Sequence, residues 1–78
     1  MNDQYRTNDM YLAAFLLTRG FKIVENDRSM QNEVVFIFHE THEEARPAVE
    51  DYEHRKTTVE PRTFVGAIKS IKKIIQNR

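Results

Sequence analysis

Eight consecutive apolar residues, Met10 to Leu17, constrain the fold more than any other feature of this 78-residue chain. Most of them are strong helix formers. Thr7-Asn8-Asp9 offers capping oxygens before them, and Gly20 suits the left-handed residue that ends a helix. We therefore predict a helix from about Asn8 to Arg19. Because the apolar run covers every side of two helical turns, this helix should be central and covered on more than one side.

Two apolar segments after Gly20 predict an antiparallel β-hairpin. Residues 21–25 alternate between apolar and polar side chains, and residues 34–38 form a β-branched and aromatic run. Both patterns are typical of strands. The polar residues 26–31 between them suit a loop of several residues.

The second strand of this hairpin is apolar on both faces, since successive side chains of a strand point in opposite directions. Helices can cover the face that carries Phe36. Val35 and Ile37 then lie exposed on the opposite face, with Val24 on the neighbouring strand. We expect the segment around Tyr5, a later helix or another chain to cover this second face.

Two further helices should follow the hairpin. Thr41 and Glu44 have the capping-box spacing that starts a helix, but a proline in a helix interior is disruptive. This helix therefore either bends at Pro47 or begins near Arg46. Pro61 suits the first turn of the last helix. The apolar stripe of the last helix, spaced by three and four residues, consists of Phe64, Ala67, Ile68, Ile71, Ile74 and Ile75.

These elements predict an α+β fold in the order α-β-β-α-α. We expect a single domain over residues 1–78, in which residues 1–6 are flexible or form a short edge strand. The chain has no Cys, which excludes disulfides, thiolate nucleophiles and Cys-bound metals. Its longest apolar run is far shorter than the about 20 residues that cross a bilayer, and no export signal precedes it. We expect a cytoplasmic protein with no membrane contact and no cofactor.

Several of these segments together resemble a family of short, uncharacterised single-domain proteins of bacteria and their phages. The resemblance is carried by Thr7-Asn8-Asp9 with the apolar run 12–17, by Gly20-Phe21, by Val35-Phe36-Ile37-Phe38, and by Phe64 with Ala67-Ile68-Lys69. It covers the chain from about Tyr5 to Ile75 and departs most from the family pattern between His39 and Arg55. It implies a bacterial or phage origin and an intracellular setting, and it supplies no catalytic residue.

Histidines that lie among acidic residues raise the question of a metal site. His39 and His42 are acceptable zinc or nickel ligands, but their spacing of three differs from the four-residue spacing of a helical zinc motif. No phosphate-loop, dinucleotide or nucleophile motif occurs. The acidic residues cluster on an exposed helix face rather than in a pocket. We therefore expect no metal site and no enzyme activity.

The charges are unevenly divided along the chain. Residues 1–60 carry seven basic and twelve acidic residues, whereas residues 61–78 carry five basic residues and no acidic ones. The basic residues of the last segment are suited to phosphate contacts: Arg62, Lys69, Lys72, Lys73 and Arg78. Because the acidic remainder would repel a polyanion, nucleic-acid binding is the alternative hypothesis.

Protein association needs fewer assumptions. A chain this short buries only about 60–65% of its unfolded surface, and a partner would bury the surplus of an all-round apolar helix and a two-faced hairpin. We predict a non-enzymatic interaction module, favoured as a homodimer, that binds through Tyr11, Val24, Val35 and Ile37. If a phage encodes it, blocking a host complex is a use consistent with its size.

Overall fold

The computed structural model describes residues 3–28, 33–54 and 58–76. Its elements are β1 (Gln4–Thr7), α1 (Met10–Thr18), β2 (Ile23–Asp27), β3 (Val35–Thr41), α2 (His42–Glu53) and α3 (Pro61–Gln76). The order is therefore β-α-β-β-α-α, with a three-stranded antiparallel sheet. The α+β fold is as predicted, but the predicted order lacked β1.

Helix α1 is the central helix that its apolar run predicts. The Asp9 carboxylate accepts hydrogen bonds from the backbone N–H groups of Tyr11, at 3.0 Å, and Leu12, at 3.1 Å, and so caps the first turn. The five consecutive residues Leu12–Leu16 are all buried. An ordinary surface helix would expose part of such a run, so α1 is covered on several sides.

Gly20 ends α1 in the left-handed conformation, with φ at +90°. The backbone N–H of Gly20 donates to the carbonyl of Leu17, and the N–H of Phe21 donates to the carbonyl of Leu16, each at 3.1 Å. This pair of bonds is the Schellman motif, which satisfies carbonyls that the helix end would leave unpaired. Phe21 then packs against the core, which fixes the direction in which the chain enters β2.

Strand β3 is the centre of the sheet, with β1 on one side and β2 on the other, both antiparallel to it. The predicted order lacks β1, and the sequence offers an edge strand within residues 1–6 only as one of two alternatives, because Gln4-Tyr5-Arg6-Thr7 contains a single large apolar residue and shows no apolar alternation. Both outer strands carry a register shift, between Gln4 and Arg6 in β1 and between Ile23 and Glu25 in β2. Bulges of this kind are common at sheet edges.

Helix α2 follows β3 without a loop and begins with a complete capping box. The Thr41 hydroxyl accepts a hydrogen bond from the Glu44 N–H at 3.1 Å, and the Glu44 carboxylate accepts one from the Thr41 N–H at 2.9 Å. The alternative start near Arg46 is therefore wrong. Pro47 lies inside the helix on its exposed side, where water can reach the carbonyl that lacks its intrahelical donor.

Helix α3 begins at Pro61, as predicted. The Glu60 carboxylate accepts hydrogen bonds from the N–H groups of Arg62, at 3.1 Å, and Thr63, at 2.8 Å, and from the Thr63 hydroxyl at 2.9 Å. Glu60 thereby satisfies donors of the first turn. Ile71 is fully buried at the centre of the apolar stripe, and this stripe fastens the helix to the rest of the domain.

Helices α1 and α2 pack against the sheet, and α3 packs chiefly against α1. The hydrophobic core joins α1 to Phe36 and Phe38 of β3, to Ala48 of α2 and to Ile71 of α3. The domain is a slab of 33 × 31 × 18 Å, whose short dimension fits one layer of helices on one layer of sheet. Among the described helices, none combines the length and the hydropathy that crossing a bilayer requires.

Candidate interaction surfaces

The sheet face away from the helices is the first candidate surface, and we call it the outer sheet face. Along β3, Val35 and Ile37 alternate with the core residues Phe36 and Phe38 and so belong to this face. Ile37 lies in register between Arg6 of β1 and Glu25 of β2. One basic side chain, Arg6, and one acidic side chain, Glu25, therefore lie on either side of a short apolar centre formed by Val35 and Ile37.

Ile37 has an exposed fraction of only 4%, so it is covered within the chain itself and is not accessible as the interface residue that the sequence predicts. The prediction assumed a two-stranded hairpin, in which Ile37 would lack a neighbour on one side. Strand β1 supplies that neighbour, and the long stems of Arg6 and Glu25 flank the isoleucine. Val35 is half-buried, and Val24 is 54% exposed, so these two valines are the accessible apolar residues here.

Tyr11 does not join this surface. It is 53% exposed, but it belongs to α1, which packs on the opposite face of the sheet. Two of its neighbours along α1, Leu12 and Phe15, are buried against the core. The structure thus separates Tyr11 from the other three residues of the predicted interface.

The basic residues of α3 form a second surface, which we call the basic face. Arg62, Lys69, Lys72 and Lys73 are all exposed, on the side of α3 away from its buried Ile71. Arg78 lies outside the described residues. Val65 is 49% exposed among these cations, and the helix contains no acidic residue.

A groove of about 290 Å³ lies between β1 and α2. It is lined by Tyr5, His42, Arg46, Val49, Glu50 and Glu53. The Tyr5 ring contacts the His42 ring edge-on, with ring centroids 5.1 Å apart, and lies 6.2 Å from the Phe38 ring. The lining residues of α2 recur at three- and four-residue spacings, so they form one stripe of that helix.

Burial and nearby acidic side chains both act on the Tyr5 hydroxyl. Partial burial raises the pKa of Tyr5 most strongly, and the nearby charges of Glu53 and Asp9 raise it further. Glu50 and Glu53 occupy the carboxyl-terminal end of the stripe, while His42 and Arg46 occupy its amino-terminal end. One end of the groove is therefore acidic and the other basic.

Sequence reasoning missed this groove because β1 had no recognisable strand pattern. The stripe on α2 was visible in the spacing of its charged residues, but nothing in the sequence indicated that Tyr5 would face it. The signal that could have found it is the aromatic residue in the short polar segment before α1. An isolated aromatic there must either pack or remain exposed, and packing requires a strand or helix to position it.

The structure does not bring the candidate metal ligands together. His39 is an exposed residue of β3, whereas His42 starts α2 and contacts the Tyr5 ring. Across residues 3–28, 33–54 and 58–76, no three His, Asp or Glu side chains form a group able to hold a metal ion.

Two layers, with helices on one side of a three-stranded sheet, make this a small α+β domain. Within that class, the chain belongs to a family described as a domain of unknown function (DUF5659), whose model matches residues 2–77. The match thus establishes membership of an uncharacterised family over nearly the whole chain, as the resemblance implies. It does not show a bacterial or phage origin. Neither a curated protein nor a solved structure matches the chain.

Proposed function

We propose that the protein is a non-enzymatic interaction module that pairs with a second copy of itself through the outer sheet face. The observation that carries the proposal is that, within the residues described, the core shared with the helices lies on the side of β3 that bears Phe36 and Phe38, whereas Val35 and Ile37 lie on the other side. The uncovered face presents Val24 and Val35 around the buried Ile37. Sheets that pack face to face bury residues of this kind between them.

Charge complementarity favours a second copy as the occupant. Arg6 and Glu25 lie on opposite sides of Ile37. A two-fold axis parallel to β3 stacks the β1 strand of one copy on the β2 strand of the other. Each Arg6 then faces a Glu25, and Ile37, which is already covered within each copy, lies closest to the axis. The outer sheet face is therefore complementary in charge to the same face of a second copy.

A standard interface buries about 800 Å² on each partner. Three strands of four to seven residues make a face only about 15 Å wide and 20 Å long, so residues around the sheet would also have to take part in a stable pair. The charged side chains of the described residues also lie at the surface, since none of them is buried. Hydrated surface charges of this kind orient partners more than they add affinity, so the exposed Val24 and the half-buried Val35 would provide most of the binding free energy.

Light scattering and sedimentation over a range of concentrations test this proposal. We expect the wild-type protein to be a dimer. The variant Val24→Lys, which places a charge on the outer sheet face, should raise the dissociation constant of the dimer at least tenfold. Val65→Lys is the matched control, because Val65 is similarly exposed on α3. A protein that stays monomeric at millimolar concentration, or a dimer that Val65→Lys weakens as much as Val24→Lys does, would contradict the proposal.

A charge exchange tests the two-fold geometry itself. Arg6→Glu and Glu25→Arg should each weaken the dimer, because like charges then face each other across the axis. The double variant carrying both changes should recover the wild-type association. If the double variant associates no better than the weaker single variant, then Arg6 and Glu25 do not meet in the dimer.

A bacterial or phage-infected cytoplasm belongs to the same proposal, as the setting that the sequence resemblance implies. In that setting, a small dimeric module can act by occupying a surface of a host complex. Gene neighbours and the cellular complexes that contain the protein would test this extension.

Nucleic-acid binding is a second candidate, favoured by the basic face of α3. Four exposed cations lie on a helix without an acidic residue. If they contact phosphates, retention of duplex DNA should fall steeply between about 50 and 200 mM salt, and Lys69→Gln and Lys73→Gln should reduce the salt dependence. Absence of retention at 50 mM salt would exclude this candidate.

A further inference from the structure

We propose that the groove between β1 and α2 binds an extended peptide segment that carries an acidic and a basic side chain two residues apart. This inference does not depend on self-association, because the groove and the outer sheet face use different sides of β1. The peptide would lie along the free edge of β1 as an added strand. Its charged side chains would reach the stripe on α2.

The edge of β1 is the first part of the argument. Strand β1 pairs with β3 on one side, and its other side has no strand neighbour within the described residues. A strand at a sheet edge presents backbone N–H and C=O groups that an extended peptide can pair with. The groove lies next to β1, since Tyr5 of this strand is one of its walls.

The charged residues that α2 presents to the groove determine which peptide side chains can bind there. Arg46 and Glu50 both line the groove and are four residues apart, which is about 6 Å along a helix axis. Alternate residues of a strand are about 6.7 Å apart and point to the same side. An acidic and a basic side chain two residues apart on the peptide therefore match Arg46 and Glu50 in both spacing and sign.

The placement of the acidic residues on α2 costs stability in the free protein. Glu50 and Glu53 lie toward the carboxyl end of the helix, and no basic residue occupies its last turn. Negative charges there oppose the helix dipole. A cation bound from outside would offset this repulsion, and residues that violate a local stability rule are expected at functional sites.

The floor of the groove suits the remainder of such a peptide. The Tyr5 ring, held between Phe38 and His42, and the half-buried Val49 offer apolar contact to aliphatic side-chain stems. The Tyr5 ring also gives a lysine or arginine a face to lie against.

Fluorescence anisotropy with labelled, end-blocked pentapeptides tests the proposal. Three probes differ only in their central residues: Glu-Val-Lys, Glu-Val-Glu and Lys-Val-Lys. We expect the Glu-Val-Lys peptide to bind saturably and about threefold or more tighter than either like-charged peptide, as exposed ion pairs allow. Lack of saturable binding by any probe, or tightest binding by a like-charged one, would overturn the proposal.

Variants locate the site on α2. Glu50→Lys should reverse the preference, so that the Glu-Val-Glu peptide becomes the tightest ligand. Glu43→Lys is the matched control, because it makes the same change of charge on an exposed α2 residue outside the groove, and it should leave the order of affinities unchanged. Circular dichroism and thermal unfolding establish that both variants fold. If Glu50→Lys leaves the order of the three peptide affinities unchanged, this groove is not the binding site.

Backbone methylation tests strand addition. One version of the Glu-Val-Lys peptide carries an N-methyl group on Val, and a second carries them on Glu and Lys. Since alternate residues of an added strand face β1 with their N–H groups, one methylated version should lose at least tenfold in affinity while the other retains binding. Equal affinities for both versions and the parent would show that no strand is added. Repeating the measurement on Val24→Lys separates peptide binding from self-association.

Discussion

At the two glycines of this chain, backbone conformation alone decides whether a substitution by alanine raises or lowers the free energy of unfolding. An alanine Cβ would meet no atom within 4 Å at either Gly20 or Gly66, so crowding affects neither. Gly20 has φ at +90°, which L-residues rarely adopt, whereas Gly66 lies within α3. Any difference between the two alanine variants therefore reports conformation.

We predict that Gly20→Ala lowers the free energy of unfolding by about 1 kcal/mol, because the left-handed conformation is strained for alanine. Gly66→Ala should raise it by about 0.5–1 kcal/mol, because alanine is the better helix former. Urea denaturation followed by circular dichroism measures both. A stabilised Gly20→Ala would mean that the left-handed end of α1 is not maintained.

Glu60 gives the start of α3 a pH dependence. Its hydrogen bonds from the Arg62 and Thr63 N–H groups, and then from the Thr63 hydroxyl, lower the pKa of the Glu60 carboxyl. With the folded-state pKa below the unfolded one, ionised Glu60 stabilises the fold at neutral pH. That contribution disappears as the pH falls through the ordinary Glu value of about 4.3 and below.

We therefore predict that Glu60→Gln lowers the melting temperature at pH 7, and that the difference from wild type shrinks as the pH falls below about 4.3. Melting curves between pH 3 and pH 7 measure it. Thr63→Ala is the control, since it keeps both backbone donors and should retain a reduced form of the same pH dependence. A difference that stays constant over this range would show that the Glu60 charge does not cap α3.

Strand β1 is the element whose stability is most informative, because it has only four residues and shows no apolar alternation. Its main tertiary anchor is Tyr5, whose ring contacts Phe38 and His42. We predict that Tyr5→Ala lowers the free energy of unfolding by about 2 kcal/mol through loss of this half-buried packing.

Tyr11→Ala is the matched control for the β1 prediction, since Tyr11 is largely exposed on α1. Its effect should stay within about 0.5 kcal/mol. Denaturation at low protein concentration keeps both variants monomeric. If the two variants lose equal stability, β1 is not anchored through Tyr5.

At the scale of the whole molecule, the two-layer arrangement predicts which elements unfold locally and exchange their amide hydrogens fastest. Helix α1 is buried over five consecutive residues, and β3 has a strand on each side. We expect the slowest amide hydrogen exchange in α1 and β3, and faster exchange in β1, which pairs with a strand on one side only in the part of the chain that the structure describes. Exchange followed by NMR measures this order. Protection in β1 equal to that in β3 would mean that the sheet opens as one unit, or that a partner covers its edge.

The elements with strong local signals could be predicted, whereas the surfaces could not. The capping box at Thr41, the glycine after α1 and the apolar stripe of α3 are local patterns, and each is found where the sequence places it. The exposure of Ile37 and the groove at Tyr5 depend on a strand that the sequence does not signal. Both were therefore missed, because each arises from residues more than thirty positions apart.

The amino-acid sequence by itself determined the helices, the hairpin strands and the division of charge between α3 and the rest of the chain. These follow from side-chain periodicity and helix-end chemistry, which act over a few residues. The tertiary structure alone decided that β1 completes the sheet, that Ile37 is covered and that Tyr5 meets α2. A backbone segment without a pattern of its own becomes a strand when a neighbouring edge offers it hydrogen bonds, and such edges exist only once the chain has folded.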